Sequence, residues 1–276
     1  MSKKTKLYVM DNGRNENDWE CIVGMPFQLS DDNKTPRAKW VSVPVYSVLI
    51  EHEEGLLLFD SACHPDAMKS RWPESQKHFT PHFVEESQLL PNTLKRIGYT
   101  PDDVSYVVAS HLHEDHAGCL EFFKRSEIFV HEIEFLNTLK LYATGEAVGG
   151  YIPKDIEMWL QAKLHWHLIP SDMQEFDVMD GVKIINLGSG HTFGMLGLLV
   201  SLQETGNILI VSDAINCSEN FGPPVRLPGP IYDSIGFRKC VDKVRMLQKK
   251  YNAQVWFGHD AKQFSTLVKS DEGFYS

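Results

Sequence analysis

The residues His111-Leu112-His113-Glu114-Asp115-His116 put three imidazoles and an aspartate into one short stretch. The stretch directly follows an apolar run, residues 104–110, that reads as a strand. Divalent ions such as zinc take imidazole nitrogen and carboxylate oxygen as ligands. Histidines separated by one residue in an extended loop can converge on one ion. His116, beyond Asp115, can turn toward a neighbouring ion. Further donors stand in equivalent places. His191 follows the run 184–187 through Gly188-Ser189-Gly190, Asp213 ends the run 208–213, and His259 follows Val255-Trp256-Phe257-Gly258. A lone histidine is more often structural. Here every donor lies at the C-terminal end of an expected strand, where α/β proteins place their sites. That agreement of position points to a metal centre.

Other chemistries find less support. No G-x-S-x-G nucleophile elbow occurs, so a serine triad is not expected. The five cysteines are Cys21, Cys63, Cys119, Cys217 and Cys240, and no C-x-x-C joins any of them. Disulfides and cysteine–zinc sites are therefore not expected. Glu114 reads as a solvated loop carboxylate and His131 as a packing residue. His165 and His167 flank Trp166, and His78 and His82 flank Pro81. Both pairs read as surface residues.

The elements that must position the donors alternate between strand and helix. Strands are expected over residues 45–50, 56–60, 104–110, 128–131, 182–187, 195–202, 208–213 and 254–257. A helix over residues 89–97 is stopped by Gly98. A second runs from Phe237 to Tyr251, with Val241, Val244, Met246 and Leu247 as its inner side. A third starts near Pro153 and carries Ile156, Trp159 and Leu160. Two stretches, 64–91 and 138–180, do not fit the sheet pattern and are expected as excursions that wall a substrate pocket. The chain has 276 residues, 42% of them hydrophobic, which suits a single α/β domain over 1–276 with a sizeable core. A formal net charge of -10 argues against nucleic acid and anionic lipid as partners. The basic start Met1-Ser2-Lys3-Lys4-Thr5-Lys6 is followed by Asp11, Arg14, Glu16 and Asp18 rather than by an apolar segment. No run reaches the roughly 18 apolar residues of a membrane span. A cytoplasmic protein is expected.

The run Ser110-His111-Leu112-His113-Glu114-Asp115-His116-Ala117-Gly118 resembles the H-x-H-x-D-H signature of the metallo-β-lactamase superfamily, and Asp60 in Leu57-Leu58-Phe59-Asp60-Ser61 resembles its strand-end aspartate. The likeness is closer to the N-acyl-homoserine lactonases that quench quorum signals, and it covers nearly the whole chain. Arg71-Trp72-Pro73, Leu141-Tyr142-Ala143-Thr144-Gly145, Asn220-Phe221-Gly222-Pro223-Pro224 and Phe257-Gly258-His259-Asp260 are among the motifs that carry it.

The resemblance implies an αββα sandwich and two divalent metal ions per chain, zinc by default. It implies that His111, His113 and His191 hold one ion. Asp115, His116 and His259 would hold the other, Asp213 would bridge both, and Asp60 would orient ligands by hydrogen bonds. Two ions roughly 3.5–4 Å apart can share a hydroxide and bring its pKa toward 7. The implied reaction is opening of a lactone ring by that hydroxide, with an N-acyl-homoserine lactone as the small-molecule substrate. Asp115 is either a ligand only or also the carrier of a proton to the leaving oxygen. Hydrolysis of another lactone, ester or thioester, as in the glyoxalase II branch, is the alternative. A flavodiiron-type redox role would favour glutamate where this chain has His113, and would bring a flavin domain. Lactonases of this family carry a tyrosine three residues after the bridging aspartate, and this chain has Asn216 there. Asn216 is thus a candidate catalytic residue of shorter reach, one that slows the reaction, admits a bulkier substrate, or points away.

Overall fold

The computed structural model describes residues 4–25, 30–32, 34, 38–147 and 149–276. Met1, Ser2 and Lys3 of the basic N-terminal run lie outside the described residues. Twelve strands are described: β1 (Lys6–Asp18), β2 (Trp40–His52), β3 (Gly55–Phe59), β4 (His82–Phe83), β5 (Val104–Val108), β6 (Glu127–His131), β7 (His165–Ile169), β8 (Glu175–Met179), β9 (Val182–Gly188), β10 (Met195–Leu202), β11 (Gly206–Ser212) and β12 (Gln254–Phe257). They form a seven-stranded sheet in the order β4-β1-β2-β3-β5-β6-β7 and a five-stranded sheet in the order β12-β11-β10-β9-β8.

The apolar residues sort into layers, as the expected sandwich requires. Leu57, Phe59 and Val108 of the first sheet meet Ile184, Leu198 and Ile210 of the second in one buried cluster between the sheets. The alternate residues Leu58, Val107 and Ile128 face outward and are covered by the helical segments Leu90–Arg96 and Pro153–Ala162. On the far side, Ile185, Leu199 and Val211 pack under the helix Ser234–Tyr251. Asp233 caps that helix by accepting from Ile235 N and Gly236 N. Its inner face is Phe237, Cys240, Val241, Val244 and Leu247. Met246, expected on that face, is 59% exposed, because its position points nearly opposite to the middle of the stripe.

The excursions need correcting. Residues 64–91 contribute β4 to one edge of the first sheet, while residues 138–180 contribute β7 to its other edge and β8 to an edge of the second. β1 escapes a hydrophobicity reading because its inward positions include asparagines. Asn12 accepts from Ser47 Oγ at 2.8 Å and Asn17 accepts from Thr80 Oγ1 at 2.8 Å, so the buried amides are bonded rather than solvated. All five cysteines are free thiols. Among the described residues, no helix is long and apolar enough to cross a membrane.

The parallel pairings β3–β5–β6 and β11–β12 bring several strand ends to one rim of the sandwich. Buried bonds tie the sheets together there, among them the one from Tyr46 OH of β2 to Phe257 O of β12 at 2.7 Å. Tyr46→Phe would leave that carbonyl buried without a donor. The expected loss is about 1–2 kcal/mol of unfolding free energy in urea titration, with an unchanged slope.

Candidate metal centre

Each donor sits where its strand runs out. β3 ends at Phe59, and Asp60 turns the chain with a φ of +61°. Asp60 then organises its surroundings. Its Oδ1 accepts Ser110 N at 2.7 Å, and its Oδ2 accepts Ser110 Oγ at 2.9 Å and Ser212 Oγ at 3.0 Å. The same Oδ2 lies 2.9 Å from His116 Nδ1. Ser212, just before Asp213, also has a positive φ, +48°. Backbone strain of this kind persists only where the surroundings impose it, and it clusters at sites.

The predicted donors come together. Ligand atoms of His111, His113 and His191 lie within 4.8 Å of one another, as do those of Asp115, His116 and His259, and those of His111, His116 and Asp213. Asp213 faces both sides. Its Oδ1 is 3.4 Å from His116 Nε2, and its Oδ2 is 3.1 Å from His259 Nε2 and 3.6 Å from His191 Nε2. Three of the five histidines are held from behind. His111 Nδ1 meets Ser110 Oγ at 3.0 Å, His116 Nδ1 meets Asp60, and His259 Nδ1 donates to Pro44 O at 2.9 Å. An Nδ1 that donates leaves Nε2 with a lone pair to offer a cation.

The electrostatics ask for positive charge. His111 Nε2, His116 Nε2 and Asp213 Oδ1 are buried and make no hydrogen bond. Orphaned polar atoms cost roughly 1–3 kcal/mol each, so an unexplained cluster of them needs a partner. Burial, reinforced by neighbouring imidazoles, holds His111 and His113 well below the usual histidine range. Burial also opposes charge on His259, yet Asp213 and Asp115 outweigh it and lift its pKa to about 9. The neighbouring His259 and His116 hold the Asp213 carboxyl well below the usual range against its burial. Imidazoles such as His111 and His113 that burial keeps neutral, beside that carboxylate, are donors a divalent ion takes. Such an ion can replace the protons that the carboxylates favour on His116 and His259. The residues present fit such ions.

A cavity of about 480 Å³ opens over these donors. Phe79, Ile22, Phe193, Ile231 and Tyr232 give it apolar walls, and Asp115, His113 and Asp213 reach its floor. Both stretches expected as excursions contribute, with Gln76 and Phe79 from one and Gly150 and Tyr151 from the other. A Cβ on Gly150 would lie 2.5 Å from the His113 ring, so only glycine lets that loop cross so closely. Asn216 also lines the cavity. It is buried, its Oδ1 has no hydrogen-bond partner, and its backbone O accepts from His259 N at 2.7 Å.

Some expectations fail. Glu114 is not solvated: it is 4% exposed, forms part of the cavity wall and accepts from Gln76 Nε2 at 2.5 Å. The short helix Glu114–Ala117 turns it inward along with Asp115 and His116. Burial pushes its carboxyl up to about 8, with the neighbouring Asp115 adding to the effect. His82 is not a surface residue either. It is buried on β4, with Nδ1 2.8 Å from Asn15 Oδ1. Asn15 in turn donates from Nδ2 to Asp115 Oδ2 at 2.9 Å, a contact no motif announced. His165 and His167 are exposed on β7, as expected. His131 caps the helix Glu132–Thr144 by accepting from Ile133 N.

Asp60→Asn tests the anchoring of His116. An amide cannot accept at both oxygens' positions, so His116 loses its fixed tautomer. Affinity for a divalent ion is expected to fall about 10–100-fold in a competitive chelator titration, with far-ultraviolet circular dichroism unchanged. Unchanged affinity would show that Asp60 only shapes the turn.

Residues 41–202 match the model of the metallo-beta-lactamase superfamily. The chain is 39% identical over 272 residues to N-acyl homoserine lactonase AiiB of Agrobacterium fabrum, covering 98% of this chain and 99% of that one. It is 29% identical to N-acyl homoserine lactonase AiiA of Bacillus thuringiensis subsp. kurstaki, covering 94% of each. The fold superposes with a TM-score of 0.79 and 25% identity on an N-acyl homoserine lactone hydrolase solved with the product N-hexanoyl-L-homoserine at its catalytic metal centre, covering 100% of both chains. With its donors gathered at one rim of an αββα sandwich, the chain belongs to the metallo-β-lactamase superfamily and, within it, to the N-acyl homoserine lactonases.

Proposed function

We propose that the protein opens the lactone ring of N-acyl homoserine lactones at a two-metal centre. The observation that carries this reading is the join between centre and cavity: converging, partly orphaned donors form the floor, and apolar side chains form the walls. A homoserine lactone with an acyl tail is divided in the same way, into a polar ester ring and an apolar chain.

His111, His113 and His191 would hold one ion, Asp115, His116 and His259 the other, and Asp213 both. The placement of Asp213 oxygens toward both groups supports that division. Zinc suits the nitrogen and oxygen donors. A bound pair supplies Lewis-acid activation and a water-derived nucleophile at neutral pH.

The chain's own residues do the rest. Phe79, Ile231 and Tyr232 bind the acyl chain and displace water from it. Asp115 lies between the cavity and the donors, with Asn15 bonded to its Oδ2. That bond fixes the carboxylate's orientation, and Asp115 would take the proton given up by the attacking water and pass it to the ring oxygen as it leaves. Asn216 presents its amide to the substrate carbonyl. Its side chain is shorter than tyrosine's, which leaves space beside the reacting ester.

The test is a panel of N-acyl homoserine lactones of several chain lengths, simple lactones and thioesters, assayed on metal-loaded protein by proton release. The acyl homoserine lactones are expected to show the highest kcat/KM. A thioester as the best substrate would overturn the reading.

Two substitutions sharpen it. Asp213→Ala should lower metal content from about two ions per chain and abolish turnover, since one carboxylate serves both groups. Full occupancy and full activity would refute the ligand assignment. Asn216→Tyr should raise turnover on at least one acyl chain, since one added oxyanion donor can contribute roughly 10²–10³ in rate. A native enzyme already as fast as good lactonases, with no gain in the variant, would show that position 216 does not set the chemistry.

A further inference from the structure

We infer that Glu134 is a positioning residue that fastens the His111–His113 loop and the His191 loop to one buried carboxylate. Glu134 lies in the helix Glu132–Thr144 and is fully buried. Its Oε1 accepts Leu112 N at 3.1 Å and Tyr151 OH at 2.9 Å. Its Oε2 accepts Gly194 N at 3.3 Å. Leu112 stands between His111 and His113, and Gly194 stands just beyond His191 in the next loop. Tyr151 adds a third link, because its ring meets the His113 ring edge-on at 4.7 Å between centroids and stacks on Phe193 at 5.8 Å.

A carboxylate is a costly way to fill space. If packing alone mattered, an apolar side chain of similar volume would serve at lower cost. What an apolar chain cannot do is accept hydrogen bonds from two separate loops. The amides of Leu112 and Gly194 lie in irregular backbone with no strand neighbour for those bonds, so each needs an acceptor from elsewhere. One rigid group that satisfies both sets the spacing between the loops. It therefore sets the spacing of the three imidazoles assigned above to one ion. Asp60 anchors the opposite side, through His116. Asp60 also reaches His111, but only through Ser110, whereas Glu134 bonds both the loop that carries His111 and His113 and the loop that carries His191.

This inference rests on the ligand assignment given under Proposed function. The test is Glu134→Gln in the full-length protein, with Zn²⁺ affinity measured by chelator competition and Co²⁺ ligand-field absorption as the spectroscopic signature. Glutamine keeps the size but has one acceptor oxygen, so either Leu112 and Tyr151 or Gly194 would face an NH₂ group. The expected result is that one of the two ions binds about 10–100-fold more weakly while the other keeps its affinity, with a changed Co²⁺ spectrum. Unchanged affinities and spectrum in a folded variant would overturn the inference. So would equal weakening of both ions with a general loss of stability, which would mark a purely structural residue. Should the glutamine variant fail to fold, Glu134→Asp carries the same expectation, since a carboxylate shorter by one methylene cannot span both loops. Wild-type protein that binds both ions but opens no lactone would refute the function and leave Glu134's role standing.

Discussion

Imidazoles and carboxylates packed together away from water must be compensated by positive charge and held rigidly, and much of the rim of this molecule follows from that requirement. Left to themselves, the side chains at 111, 113, 115, 116, 191, 213 and 259 would avoid burial or repel one another. They stay because strand ends from both sheets deliver them and because four of the seven are gripped from behind. Ser110 and Asp60 grip from the first sheet, Pro44 O holds His259, and Asn15 holds Asp115. The apolar sandwich supplies the stability that this arrangement draws on.

The candidate metal donors and the residues proposed to meet substrate come from different parts of the chain. The donors follow regular strands of the two sheets. The cavity walls come from Phe79 at the end of the short helix Glu74–Phe79, and from Gly150, Tyr151 and the segment around Ile231 and Tyr232, which are irregular connections. Loops tolerate change better than the scaffold that positions the centre. Chain-length preference can therefore shift through positions such as 79 or 232 without disturbing the donors. Glu114 is an exception. It faces the cavity from inside the donor motif, so any change there touches both functions.

The donors were legible in the sequence because strand ends are marked twice, once by an apolar run and once by the abrupt polar residue that follows. The long apolar strands and the helices near residues 90, 153 and 240 were legible for the same reason, through period and punctuation. What escaped was whatever depends on contacts distant in sequence. β1 looked polar because its buried asparagines are satisfied by Ser47 and Thr80, far along the chain. Glu114 and His82 looked solvated because their partners, Gln76 and Asn15, lie outside their own segments. Met246 was misplaced by simple proximity to Leu247, where a helix turns about 100° per residue. The anchoring residues Asn15 and Glu134 carry no motif, since a hydrogen bond across 100 residues leaves no local trace.

β7 closes one end of the larger sheet, so one side of its backbone is free to pair with a strand of another chain. Its exposed side chains are His165 and His167, both near Glu127, and Leu168, while Trp166 packs against Phe135 and Trp159. A hydrated, ionisable edge is a poor template for intermolecular β-pairing. The strand that lends Trp166 to the core therefore also carries, in its two imidazoles, the charge that discourages edge-to-edge pairing.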